Sequence, residues 1–151
     1  MKVLITYNSI HHGNTEKIAK VMASAIDADV LKYDQVDGYN ILDYDMIGFG
    51  SGIYHGKPNK ELLEFVDNLP TVINKKAFTF ITSGRENSKY GIELVKKISD
   101  QGFKTIGKFS CKAFDTWGPF KLIGGINKGK PDAKDLEEAE IFIKNLINHD
   151  Q

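Results

Sequence analysis

Cysteine is almost absent from this chain. Of 151 residues only Cys111 is a cysteine, which excludes an internal disulfide framework and a multi-cysteine metal or iron–sulfur site. A chain built this way fits a reducing compartment. Net charge is absent too, because 20 Lys and Arg balance 20 Asp and Glu. The basic field that gathers nucleic acid is missing, and so is a strongly acidic one. Long apolar runs are also missing. The opening stretch Met1 to Tyr7 turns polar after a few residues and reads neither as a signal peptide nor as a membrane span. Internal repeats, low-complexity tracts and linkers do not occur. What remains is 41% hydrophobic, enough for the core of one ordinary domain spanning 1–151. The expectation is a cytoplasmic protein with neither nucleic acid nor membrane as partner.

Apolar runs alternate with helical periodicity. Val3 to Tyr7, Asp29 to Tyr33, Met46 to Gly50, Lys76 to Thr82 and Lys104 to Cys111 read as five strands. Helices are expected over Asn14 to Ala28, capped by Asn14 or Thr15, over Lys60 to Asn68, over Tyr90 to Gln101 behind Ser88 as cap, and over Asp132 to Asn148 with Asp132 as cap. Asp34 to Asp45 reads as turns, Ser51 to Asn59 as a loop, and Lys112 to Pro131 as a long loop without a helix. Buried strands alternating with helices imply an α/β three-layer sandwich around a parallel sheet. Ligands then sit beyond the carboxyl ends of the strands. Three polar loops follow strands and share that rim: Asn8 to Thr15, Ser51 to Lys57 and Ser83 to Lys89.

The first loop runs from a strand straight into a helix. Unpaired helix N–H groups and the positive end of the helix dipole make such a point attractive to phosphate. The hydroxyls of Ser9 and Thr15, the Asn14 amide and backbone donors around His11, His12 and Gly13 suit a phosphate monoester dianion. Two better-known cradles are missing: Gly-Lys followed by Ser or Thr does not occur here, and Gly13 stands where a dinucleotide fingerprint needs three glycines. His11, His12 and His55 are not expected to hold a metal, since adjacent histidines point apart and no Cys or carboxylate is close in sequence. His12 beside a phosphate would make binding pH-dependent. The second loop, Ser51-Gly52-Ile53-Tyr54-His55-Gly56, sets an aromatic among glycines, so backbone can approach a flat ligand and Tyr54 can stack on it. The third, Thr82-Ser83-Gly84 through Asn87 to Tyr90, repeats that mixture. Cys111 either meets the ligand or is a small buried residue at a strand end, as free cysteine usually is. Phe114, Trp117 and Phe120 cover the ligand, face a second copy or seal the sheet edge.

A phosphate pocket with two ring-binding loops suggests FMN, and the sequence resembles the flavodoxin family. The resemblance spans the whole chain. It rests on Gly13-Asn14-Thr15-Glu16 opening the first helix, on Gly50-Ser51-Gly52-Ile53-Tyr54, and on Thr82-Ser83-Gly84. Segments 111–116 and 124–131 are similar to those of the short flavodoxin-like proteins. The resemblance implies a flavodoxin-like sandwich with a five-stranded parallel sheet in the order 2-1-3-4-5. It implies that Ser9, His12, Asn14 and Thr15 hold the FMN phosphate and that Tyr54 and Tyr90 flank the ring. Backbone from Ser51 to Gly56 and from Ser83 to Asn87 would meet the ring's polar edge. The chain departs from the family in Ile10, His11 and His12, which replace hydroxyl residues in a loop one residue longer. It departs again in His55, which follows the stacking aromatic, and in its neutral charge.

The implied function is that of a low-potential electron carrier between redox partner proteins, monomeric or weakly dimeric, with no catalytic residue of its own. The alternative is an NAD(P)H- or quinone-dependent FMN oxidoreductase on the same fold. A receiver domain needs a phosphorylatable carboxylate at the end of the third strand, where Gly50 and Ser51 stand.

Overall fold

The computed structural model describes residues 1–10, 13–38, 40–85, 87–113 and 129–150. Strands β1 (Val3–Asn8), β2 (Asp29–Lys32), β3 (Met46–Tyr54), β5 (Lys75–Ser83) and β6 (Phe103–Lys112) form one parallel sheet in the order β2-β1-β3-β5-β6. This is the expected order. A sixth, two-residue strand, β4 (Lys57–Pro58), lies off this path and pairs antiparallel with β3. Helices α1 (Asn14–Ile26) and α4 (Ala133–Asp150) cover one face, and α2 (Lys60–Asp67) and α3 (Ile92–Asp100) cover the other.

Alternation along β1 shows how the sequence divides its apolar residues. Val3, Ile5 and Tyr7 join Ile18, Met22, Ala139 and Ile143 on the α1/α4 side. Leu4 joins Leu62, Val66, Leu94 and Ile98 on the α2/α3 side. Successive strand side chains point to opposite faces, so a strand buried on both must be apolar at nearly every position. Each large aliphatic side chain taken fully out of water contributes about 1.5–3 kcal/mol.

Strand β3 is the exception, because its sequence alternates glycine with larger residues. The register explains it. Gly48 pairs with Phe78 and Gly50 with Phe80, and both rings lie across the glycines. A Cβ on Gly48 would sit 2.3 Å from the Phe78 ring, and one on Gly50 would sit 2.0 Å from the Phe80 ring. The sheet centre is filled there from one strand only.

Three expectations are corrected. Ser51 to Asn59 is not loop throughout: β3 continues to Tyr54, and Tyr54 pairs with Lys57 across the two-residue connection His55-Gly56. Both connecting residues have positive φ, 55° and 78°, the pattern of a type I′ hairpin turn. Helix α1 is capped by neither Asn14 nor Thr15; its N-cap is Gly13, at φ 65°, with no side-chain cap bond. Helix α3 begins at Ile92 behind Gly91 rather than behind Ser88. Asp132 does what was expected of it, exchanging bonds with Asp135 (Asp135 N–H to Asp132 Oδ1 3.0 Å, Asp132 N–H to Asp135 Oδ2 2.9 Å). The expected loop Lys112 to Pro131 falls mostly on 114–128, outside the described residues, and so do Phe114, Trp117 and Phe120.

Gly50→Ala should lower stability by about 1–3 kcal/mol, the usual cost of overpacking. The urea unfolding midpoint measures it, and an unchanged midpoint would contradict the close Gly50–Phe80 approach.

Candidate functional site

The parallel register brings the strand ends level. Asn8 pairs with Ser51, Gly52 with Thr82, and Ser83 with Lys112. The three polar loops therefore leave the sheet along one rim. The N-termini of the helices stand at the same rim, while the C-terminus of α4 reaches the far end of the sheet, where Asp150 pairs with Lys76 at 2.7 Å.

In the first loop Ser9 Oγ accepts from the Glu16 N–H at 3.2 Å, closing the loop over the start of α1. Thr15 is 1% exposed, and its hydroxyl lies 2.8 Å from that of Thr82 at the end of β5. Each hydroxyl has one proton, and the pair consumes one. One O–H donor is left for another acceptor beside the α1 N-terminus. Glu16 is the acidic residue of that first turn. It is paired with Lys20 at 2.9 Å, and the hydrogen bond from Lys20 holds its carboxyl below the usual range, helped by the Tyr7 hydroxyl. Burial in the first place, then the Glu16 charge, pushes the Tyr7 hydroxyl up to about 12. Lys20 thus offsets the one carboxylate of the turn. His11 and His12 lie outside the described residues.

The second loop is fixed from behind. Ser51 Oγ donates to the Gly52 carbonyl at 2.6 Å and accepts from the Asn59 N–H at 2.8 Å. Asn59 Oδ1 caps α2 by accepting from the Leu62 N–H at 2.9 Å, and it also accepts from Asn8 Nδ2 at 2.5 Å. Asn8, Ser51 and Asn59 are all buried, so this network is paired rather than solvated. Ile53 packs on the α2/α3 core. Tyr54 folds back over Gly52, where a Cβ would lie 2.6 Å from its hydroxyl. That hydroxyl accepts from the Ile10 N–H at 3.4 Å, which ties the second loop to the first. His55 and Gly56 are exposed at the turn.

In the third loop Ser83 Oγ donates to the Arg85 carbonyl at 2.5 Å, and the Ser83 carbonyl accepts from Ala113 N–H at 2.8 Å. Gly84 follows, half-buried. Asn87 Oδ1 accepts from the Lys89 N–H at 2.9 Å, an Asx turn. Tyr90 is half-buried against the α2/α3 core. Cys111 faces the other side, within the cluster under α1 and α4. Burial chiefly, with the Asp135 charge second, pushes its thiol up to about 12. It is the buried strand-end residue of the two possibilities. Among the described residues no three metal-ligating side chains gather.

The register thus brings together loops containing Ser9, Gly13, Asn14, Thr15, Ser51, Tyr54 and Thr82. Asn8 and Asn59 were missed from sequence. The position of Asn59 just before a helix was the available signal; nothing local marked Asn8.

An open parallel sheet with an anion-ready helix start and two further loops on one rim defines a phosphorylated-cofactor-binding α/β protein. A family profile described as a flavodoxin domain matches residues 4–114, and the chain belongs to the flavodoxin family. It is 46% identical over 151 residues to an uncharacterised protein of Methanocaldococcus jannaschii, covering 99% of this chain and 100% of that one. Among solved structures it is similar to a flavodoxin from the domain Archaea, with a TM-score of 0.75 at 18% identity, covering 99% of this chain and 98% of that one. It is also similar to oxidised flavodoxin 1 of Bacillus cereus, with a TM-score of 0.73 at 19% identity and 99% of both chains.

FMN is the group this rim must be tested against, and the donors fit it. The N-cap of α1 is Gly13, in a left-handed backbone, which brings no side-chain acceptor of its own; Ser9 Oγ takes the Glu16 N–H; and the Thr15–Thr82 pair keeps one proton to give. That donor set matches a dianion.

Two outcomes follow from this geometry. Asn59→Ala removes the α2 cap and the partner of the buried Asn8 amide, and should cost about 1–3 kcal/mol by urea unfolding; a loss below the error of the measurement would rule out the network. Cys111 should react with a thiol reagent at pH 8 on the order of a thousandfold more slowly than an ordinary thiol. Its rate should approach the ordinary value only in denaturant; rapid native-state labelling would contradict its burial.

Proposed function

We propose that this protein binds FMN on its C-terminal rim and works as an electron carrier between partner proteins. The observation that carries the reading is the α1 N-terminus, which starts behind Gly13, joined to the buried Thr15–Thr82 hydroxyl pair. FMN supplies one- and two-electron chemistry when bound. Ser9, Asn14, Thr15 and backbone around Gly13 hold the phosphate in this reading, with His11 and His12 contributing from the same loop. Tyr54 and Tyr90 flank the ring. Backbone from Ser51 to Gly56 and from Ser83 to Asn87 meets the ring's polar edge. No side chain need move a proton, so no residue is assigned as catalytic. The Lys20 ion pair with Glu16 supports the phosphate site, since it offsets the one carboxylate of that helix turn.

A low potential would follow from the phosphate charge and an aromatic ring excluding water at the flavin. Nearby cations work against it, and a potentiometric titration reads the balance. Among the described residues no helix is long and apolar enough to cross a membrane.

The experiment is FMN titration of purified protein followed by stepwise dithionite reduction, watched by visible absorbance. Stoichiometric uptake and reversible bleaching are expected; no uptake would overturn the reading. Sustained NAD(P)H consumption with an added quinone would replace the carrier with a flavin oxidoreductase. Thr15→Ala should weaken FMN binding by about 1.5–3 kcal/mol, the range for a hydrogen bond to a charged group, and unchanged affinity would remove Thr15 from the phosphate site.

A further inference from the structure

The zero net charge of the chain conceals an uneven distribution. Lys57, Arg85, Lys89 and Lys112 are exposed around the second and third loops, and Lys60 is exposed at the start of α2. Lys108 extends this surface along edge strand β6. The register pairs Lys108 with Thr79 and Lys112 with Ser83, so both lysines point to the same side of the sheet.

Cations outnumber carboxylates in this part of the sequence. Along residues 57–112 the sequence carries eleven Lys and Arg against six acids, Glu61, Glu64, Asp67, Glu86, Glu93 and Asp100. Glu86 lies outside the described residues, and Glu93 is half-buried. Lys60 approaches Glu64 of its own helix only to 3.9 Å, with both side chains mostly in water, a pairing that neutralises little. Ile92, at the start of α3, is 57% exposed and follows the half-buried Tyr90 by two residues.

We propose that this face, which carries the exposed Ile92 with Lys57, Lys89, Lys108 and Lys112, docks an acidic surface of a redox partner protein. The proposal deepens the electron-carrier reading and rests on it, since the face adjoins the rim assigned to the flavin. Charge complementarity chooses the partner. Like-signed groups spread over loops and a strand edge steer an oppositely charged protein and raise its on-rate, while a small apolar centre lets the complex part quickly. At about 0.1 M salt the screening length is about 10 Å, so neighbouring lysines act together at contact but not at long range.

The test uses two proteins of known charge, an acidic plant-type [2Fe–2S] ferredoxin and basic cytochrome c. Binding of the apoprotein and of the FMN-loaded protein to each is measured across a salt series. In parallel, stopped-flow absorbance follows one-electron transfer from reduced ferredoxin to the FMN-loaded protein. Ferredoxin binding and transfer should fall as salt rises. The double variant K89E/K112E should slow transfer about tenfold or more at low salt and should strengthen cytochrome c binding, with FMN affinity unchanged. A salt-independent ferredoxin rate, tighter binding of cytochrome c by the unmodified protein, or no effect of K89E/K112E would overturn the proposal. So would binding of phosphatidylglycerol vesicles or duplex DNA as tight as that of ferredoxin. Failure to take up FMN would defeat the carrier reading instead, and ferredoxin binding by the apoprotein would still report on the face.

Discussion

Phe78 and Phe80 lie across Gly48 and Gly50, and the rest of the molecule is arranged around that contact. The central strand gives up its side chains at positions 48 and 50 on the α1/α4 face so that two rings from β5 can fill the layer. Phe142 of α4 then meets Phe78 at 6.1 Å between ring centres. A close-packed layer cannot shift by a fraction of an ångström without leaving a void or a clash. The ring layer therefore fixes how far α1 and α4 stand from the sheet. It also fixes where Thr15 stands relative to Thr82, which a hydrogen bond of 2.8 Å requires. A core contact near the middle of the sheet in this way sets the geometry of a polar site at its edge.

The fold was legible because its signals are local and repeated. Val3 to Tyr7 and Lys76 to Thr82 are apolar runs of strand length, and Ile18, Met22 and Ala25 recur at helical spacing. Alternation of the two kinds implies a parallel sheet whatever the details. The site was legible as far as it follows from strand ends: the three loops were placed correctly on one rim. What escaped depends on partners distant in sequence. Asn8 and Asn59 are 51 residues apart, and no local pattern links them. The β3–β4 hairpin escaped because its turn is His55-Gly56, where Asn-Gly or Asp-Gly would have announced a type I′ geometry. The α1 cap was misplaced because Asn14 and Thr15 are good capping types; the chain turns at Gly13 instead and leaves both inside the helix.

The hydrogen bonds of the rim divide into two kinds. Asn8, Ser51 and Asn59 spend their polar groups on one another and on the α2 start, which rigidifies the second loop without facing outward. Thr15 and Thr82 keep one hydroxyl proton in reserve. A rim built wholly of the first kind would be a rigid edge and nothing more. A rim wholly of the second kind would leave buried groups unsatisfied at a cost of about 1–3 kcal/mol each. Scaffold bonds behind, with spare donors in front, are what a cofactor site requires.

Electrostatics on the rim are layered in the same way. Parallel β–α connectivity turns the helix N-termini to the strand ends, so partial positive charge converges there before any side chain is considered. Each first turn then carries an acid: Glu16, Glu61, Glu93 and Asp135. Two of the four are held in place by cations, Glu16 by Lys20 and Asp135 by Lys130 at 3.2 Å. These carboxylates complement their helices but do not cancel the cations of the second and third loops, because each acts mainly within its own turn. Balance in the whole chain is therefore compatible with a positive face at one place. Total charge describes the far field, whereas recognition at contact depends on the groups within about a screening length of the docked surface.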